Sequence, residues 1–146
     1  MQTSFYFLLS LFMGVMMSIY LPMNSAVSRY LGSPITANIT FFFVALITSI
    51  FIFVRWGEFE TIKNVKNVPL WLYLTGVASA FMILGMTYVI PKVGVRKYFI
   101  LSIAGQIAMA MVISHFGIFE SSRDPITLKK IMGAFLLFSG AIVSTD

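Results

Sequence analysis

The sequence predicts an all-α integral membrane protein of five transmembrane helices, and three observations predict it. Five apolar runs, at about Ser4–Leu31, Pro34–Val54, Pro69–Ile90, Val95–Phe116 and Pro125–Ser144, occupy almost the whole chain. Each is close to the ~20 residues a helix needs to cross the hydrocarbon core of a bilayer. Mean hydropathy is +0.94 and charged residues make up 10% of the chain, nearly all of them in the connections. That leaves too little polar sequence to clothe a soluble domain of this length. Because the connections are short, residues 1–146 read as a single five-helix domain. An odd number of spans puts the termini on opposite sides, so a second copy inserted upside down would make an inverted pair with the first.

The first run is longer than a straight crossing requires, and Pro22 sits about two-thirds of the way along it. Proline has no N–H to give to the Ser18 carbonyl, which predicts a kink. Met1-Gln2-Thr3 lacks the Lys or Arg of a signal-peptide n-region and four more apolar runs follow, so this run is expected to be a retained helix. Gly32-Ser33-Pro34 punctuates the chain, with Ser33 as N-cap and Pro34 as first residue of the second helix. That helix carries Phe41-Phe42-Phe43 and ends at Arg55-Trp56-Gly57, an interfacial anchor followed by a turn.

Glu58–Val68 mixes Glu58 and Glu60 with Lys63 and Lys66 and reads as a solvated loop. Pro69 opens the third span, whose Trp71 and Tyr73 suit the headgroup level. Pro91–Lys97 is a short basic reversal leading into the fourth span, which His115-Phe116-Gly117 closes. Asp124-Pro125 starts the last helix, unless Thr127 caps it slightly later and leaves Lys129 and Lys130 to snorkel to the surface.

The formal net charge of +5 raises the question of nucleic acid. The basic residues flank apolar spans and form no patch interleaved with aromatics, so no nucleic-acid partner is expected and lipid headgroups are the natural counter-charge. One side of the bilayer collects Arg55, Lys63, Lys66, Arg123, Lys129 and Lys130, the other Arg29, Lys92, Arg96 and Lys97. Six against four favours a cytoplasmic N-terminus, with a margin small enough to leave insertion in both orientations open. No cysteine is present, which removes disulfides, thiolate chemistry, iron–sulfur clusters and a lipoprotein anchor together.

No Asp, Glu, Lys or Arg falls in the middle of any span, so the usual marker of a proton relay or ion-coupled site is missing. The interior polar groups are neutral. Met13, Met17, Tyr20, Asn24 and Ser28 fall on one stripe of the first helix, and Ser102, Gly105, Gln106 and Met109 on one stripe of the fourth. An amide in hydrocarbon needs a partner, so Asn24 and Gln106 are expected to face the bundle interior. There they serve either as interhelical glue or as the lining of a substrate cavity beside the carbonyl freed by Pro22. Tyr20 and Ser102 accompany them as candidate substrate-binding residues, and Asn38, near the mouth of the second helix, is a fifth. Met13, Met16, Met17 and Met23 either line an adaptable cavity or are ordinary apolar residues.

The single histidine, His115, stands at a helix end without an acidic or second His neighbour and reads as an interfacial side chain. No nucleophile–base arrangement, metal-ligand cluster or phosphate-cradling glycine loop is present, so neither catalysis, a cofactor nor a metal is expected. Gly76 with Ala80, and Gly133 with Gly140, mark small-residue seams either within the bundle or between subunits.

Three stretches carry a resemblance: GVMMSIYLPMNSAVSRYLGSPITANITFFF (Gly14–Phe43), PKVGV with IAGQIAMAMVISHFGIF (Pro91–Phe119), and PITLKKIMGAFLLFSGAIV (Pro125–Val143). Their order and spacing resemble the YdcZ-type family of the drug/metabolite transporter superfamily, five-helix proteins of the bacterial inner membrane. The resemblance implies half of an inverted-repeat transporter fold, completed by a homodimer or a similar five-helix partner. It implies a small secondary transporter or facilitator that moves a small or amphiphilic metabolite by alternating access, with its site near the midplane between the first and fourth helices. Tyr20 stands where the family pattern often has Gln, and the membrane-embedded Glu that the small multidrug relatives use for proton exchange has no counterpart here. A non-transporting membrane subunit of a larger complex is the alternative reading.

Overall fold

The computed structural model describes residues 2–145, apart from the side chains of residues 2, 3, 120 and 145. The expected placement of the two chain ends falls on Met1 and Asp146, which lie outside the described residues. Every regular element of the described residues is helical, and residues 121–127 take no regular structure. It comprises α1 (Gln2–Leu31), α2 (Pro34–Trp56), 3-10 turns at Phe59–Asn67 and Leu70–Tyr73, α3 (Leu74–Val93), α4 (Val95–Phe116), a 3-10 turn at Ile118–Glu120, and α5 (Leu128–Thr145). Four stretches, Ser4–Leu31, Pro34–Trp56, Leu70–Val93 and Val95–Phe116, are long and apolar enough to cross a membrane. The chain divides into two compact units, Met1–Lys92 and Val93–Asp146.

Local chemistry explains most of the boundaries. Gly32 takes a left-handed φ of 68° to reverse the chain after α1. Ser33 is extended at φ −151°, ψ 123°, and its Oγ accepts from Thr36 N at 3.3 Å, capping α2 with Pro34 at its first turn as expected. α1 runs unbroken through Pro22. One missing backbone bond is tolerated in such a helix where neighbouring groups re-satisfy the freed carbonyl.

Residues 58–68 are all exposed, as a solvated connection should be, and mostly form a 3-10 turn. Thr61 donates from both its backbone N and its Oγ1 to the Glu58 carbonyl, at 3.0 and 2.6 Å, and Tyr73 OH ties the turn down through Val65 O at 2.8 Å. Two expectations about α3 are corrected. Pro69 opens a 3-10 turn, its carbonyl accepting from Leu72 N at 3.0 Å, so α3 starts five residues later than expected, at Leu74. At its other end α3 passes through Pro91 to Val93, because proline's fixed φ is compatible with a helix and only the Thr87 carbonyl loses its N–H partner. The expected seven-residue reversal therefore shrinks to Gly94 alone, at φ 85°, ψ 152°, a region in which only glycine is unstrained.

α5 begins at Leu128, with Ile131 N donating to Thr127 O at 3.1 Å, which is the later of the two starts the sequence allowed. Lys130 pairs with Asp124 and also donates to Pro125 O at 2.8 Å.

In the first unit the buried apolar residues are Leu21 and Ala37 with Met86 and Ile90, and four polar residues, Asn24, Ser25, Ser28 and Thr87, are buried among them. Burial on α1 is confined to the half near the Gly32 turn; every residue of Ser4–Ile19 is exposed. In the second unit α4 packs on α5, and the buried residues are the small Ala104 and Ala141, whose size permits close backbone approach.

Candidate functional site

Leu21, Asn24, Ser25 and Ser28 follow an i, i+3, i+4, i+7 spacing, which puts them on one face of α1. The expected stripe of Met13, Met17, Tyr20, Asn24 and Ser28 is therefore corrected in its upper part: Met13 and Met17 are exposed, as are Met16 and Met23, while Asn24 and Ser28 are buried. Asn24 Nδ2 donates to Thr87 Oγ1 on α3 at 2.7 Å, and Thr87 Oγ1 lies 2.7 Å from the Ile83 carbonyl. A carbonyl can only accept, so the Thr87 proton is committed to Ile83 and its oxygen must receive a donor from Asn24. The Thr87 hydroxyl thereby fixes the orientation of the Asn24 amide, with Nδ2 toward α3.

Asn38 on α2 is arranged in the same way. Its Nδ2 donates to the Ala80 carbonyl of α3 at 3.3 Å, beside the small Gly76 and Ala80, and its Oδ1 is buried without a partner among the described residues. Tyr20 stacks on Phe41 of α2, with ring centroids 6.1 Å apart and planes at 23°. Asn24, Tyr20 and Phe41, with Met23, Val27 and Val44, line an apolar groove of about 430 Å³ between α1 and α2. A second cavity of about 480 Å³ is bounded by Asn38 on α2 and by Gly76, Ala80 and Leu84 on α3. Three of the five sequence candidates thus fall in the first unit, Asn24 and Asn38 bonded to α3 and Tyr20 stacked on α2.

The other two, Gln106 and Ser102, are in the second unit and bond each other, Gln106 Nε2 to Ser102 Oγ at 3.1 Å. Gln106 is exposed, which corrects the expectation that it faces the bundle interior. A partner one turn away on the same helix meets part of the amide's bonding need without a neighbouring helix. Thr87 was visible in the sequence only as one of several neutral hydroxyls. Its role as the acceptor for Asn24, 63 residues away in sequence, carries no local signal. Phe41 likewise read as part of an aromatic run.

At the end of α4 the chain is strapped back on itself. His115 Nδ1 accepts from Ile126 N at 3.1 Å, Asp124 N donates to Ser114 O at 2.8 Å, and Gly117, at φ 65°, donates to Ile113 O. His115 is thus half-buried and holds the connection to α5.

Neither the curated proteins nor the solved structures contain a match to this chain. A family model does match, over residues 5–143, and its description reads "Putative inner membrane exporter, YdcZ". The match covers all five α-helices except the first residues of α1 and the last of α5, in agreement with apolar, multi-pass helices and a resemblance spread over Gly14–Val143. On that coverage the chain belongs to the YdcZ family of inner-membrane proteins.

Proposed function

We propose that the protein is a small secondary exporter of the drug/metabolite transporter type in a bacterial inner membrane. It moves a small apolar or amphiphilic metabolite and works as an inverted pair of five-span chains. The single observation that carries this reading is the groove between α1 and α2. It is a cavity of substrate size, lined by apolar and aromatic side chains with one buried amide, within helices apolar enough to span a bilayer. Helices with no charge in mid-span favour a substrate that is neutral or amphiphilic over a hard ion. One chain supplies half of a repeat-built transporter, and a second copy in the opposite orientation supplies the other gate.

The test is uptake or release of a panel of neutral amphiphiles by proteoliposomes, with Asn24→Leu and a groove-filling Val44→Trp as variants. Transport that falls in both variants at unchanged reconstitution supports the reading. Liposomes that move none of the panel above the protein-free rate, while the purified protein captures a stable larger assembly, would favour the non-transporting subunit.

A further inference from the structure

The connection between α2 and α3 is written in triplets. From Phe59 it runs Phe-Glu-Thr, Ile-Lys-Asn and Val-Lys-Asn before Val68. Phe59–Asn67 winds as a 3-10 helix of nine residues, well beyond the length of about three or four at which such runs usually stop. Three residues per turn match three residues per triplet, so each triplet position forms its own straight row. Phe59, Ile62 and Val65 make an apolar row, Glu60, Lys63 and Lys66 a charged one, and Thr61, Asn64 and Asn67 a neutral polar one. An α-helix would rotate the apolar side chains by about 60° from one to the next and break up the row. The row is open, its three side chains being 61, 53 and 53% exposed.

We infer that this segment lies in the plane of the bilayer surface, with its apolar row set into the boundary between the headgroups and acyl chains of one phospholipid leaflet. Its ends run directly into stretches able to span the membrane, Pro34–Trp56 before it and Leu70–Val93 after it, so both ends are held at the membrane surface. Two contacts decide which way the row turns. Gly57 lets the chain fold back over the end of α2, where a Cβ would run into the Phe53 ring, and Phe59 then packs edge-on against Phe53 with ring centroids 5.1 Å apart. Phe53 belongs to the span, so the row starts on the hydrocarbon side. Tyr73 OH donates to Val65 O at 2.8 Å and pins the other end of the row beside the next span. Trp56 and Trp71 stand at the two flanks, and an indole ring favours the headgroup level. The charged and neutral rows, each about 120° from the apolar one, turn toward water, from where Lys63 and Lys66 reach lipid phosphates. A soluble protein would approach from the water and meet those polar rows first, whereas the leaflet meets the apolar one. The inference needs the spans and is independent of the exporter reading.

The test is a nitroxide scan of the full chain in liposomes of mixed zwitterionic and anionic phospholipid. The chain has no cysteine of its own, so single cysteines placed one at a time at positions 59–67 carry the label. Collisions with oxygen, which concentrates in hydrocarbon, and with a nickel chelate, which stays in water, give the depth of each label. Labels at Phe59, Ile62 and Val65 are expected about 5–10 Å below the level of the other positions, and depth should repeat with a period of three residues. A second arm keeps the labels at Phe59 and Val65 and changes one further residue. Ile62→Glu puts a charge into the row and should raise both labels toward the phosphates, whereas Asn64→Glu, on the neutral polar row, should leave their depths unchanged. The inference is overturned if every position lies at water level, if depth varies without the period of three, or if Ile62→Glu and Asn64→Glu act alike. It is overturned equally if the three row positions are shielded from both oxygen and nickel, because a protein surface then covers the row in place of lipid.

Discussion

Thr87→Val and Asn24→Leu remove opposite ends of the same hydrogen bond, and the structure makes their consequences unequal. Valine keeps the shape of threonine but takes away the oxygen that accepts from Asn24 Nδ2. Asn24 is 7% exposed, so its amide N–H is stranded in an apolar site, and an unmet buried donor costs about 1–3 kcal/mol. Asn24→Leu removes the donor instead, and the Thr87 hydroxyl remains satisfied by the Ile83 carbonyl. The loss is then one interhelical bond, on the order of 0.6 kcal/mol in a membrane protein, partly offset by leucine's fit to an apolar neighbourhood. Thr87→Val should therefore be the more damaging by about 1–2 kcal/mol, a factor of roughly 5–30 in the folded-to-unfolded ratio. The double variant should be no worse than Asn24→Leu alone, because it leaves no donor unmet. The assay is reversible unfolding in mixed micelles of increasing denaturing detergent, followed by fluorescence of Trp56 and Trp71, the chain's two tryptophans, both in the first unit. If Asn24→Leu costs more than Thr87→Val, or the double variant is worse than either single one, the assigned direction of the bond and the reasoning built on it are refuted.

Four further outcomes are expected. Cysteines introduced at Thr61 and Ser122 should react with an impermeant reagent from the cytoplasmic side and one at Tyr30, 93% exposed, from the other; Thr61 and Ser122 labelled only from opposite sides would remove the five-span topology. Leu at Gly133 or Gly140 should weaken a dimer seen by cross-linking without changing the melting of the single chain, since a Cβ at either position meets nothing within 4 Å; a dimer intact in both variants would clear α5 of the interface. Gly94→Ala forces a side chain into a conformation at φ 85°, ψ 152° and should cost about 1–3 kcal/mol, so equal detergent resistance of variant and wild type would contradict that turn. His115→Leu should speed hydrogen exchange at the Ile126 amide roughly 3- to 10-fold, while His115→Asn, which places an acceptor oxygen near the position of Nδ1, should largely restore protection; similar exchange in all three chains would dismiss the strap.

Apolar runs marked α1, α2 and α4 to within a few residues, because length and hydrophobicity are local properties and Ser33-Pro34 is a local cap. α3 was misread at both ends for one reason: prolines punctuate soluble chains strongly, whereas here Pro69 starts a 3-10 turn and Pro91 sits inside a helix that tolerates it. Asn24, Tyr20 and Asn38 were legible as candidates since a polar group in an apolar run needs an explanation. Which atom of each amide would be spent was not legible, because that depends on Thr87 and on the Ala80 carbonyl, both far along the chain. Gln106 shows the converse: a one-turn partner, Ser102, was present in the sequence all along, and it accounts for part of the need that seemed to require another helix.

The exposed half of α1 has a consequence for how the molecule exchanges neighbours. Ser4–Ile19 would cover about 24 Å of a hydrocarbon slab some 30 Å thick, and in a single chain its exposed side chains would meet mainly acyl chains. Acyl chains are as apolar as the leucines they touch, so stripping them away in favour of another protein's surface changes little in hydrophobic energy; packing and the release of ordered lipid decide whether it happens. This stretch is accordingly a surface whose occupancy responds to bilayer composition. A thicker or more ordered membrane shifts its company from lipid toward protein, with no change in the buried face that holds Asn24.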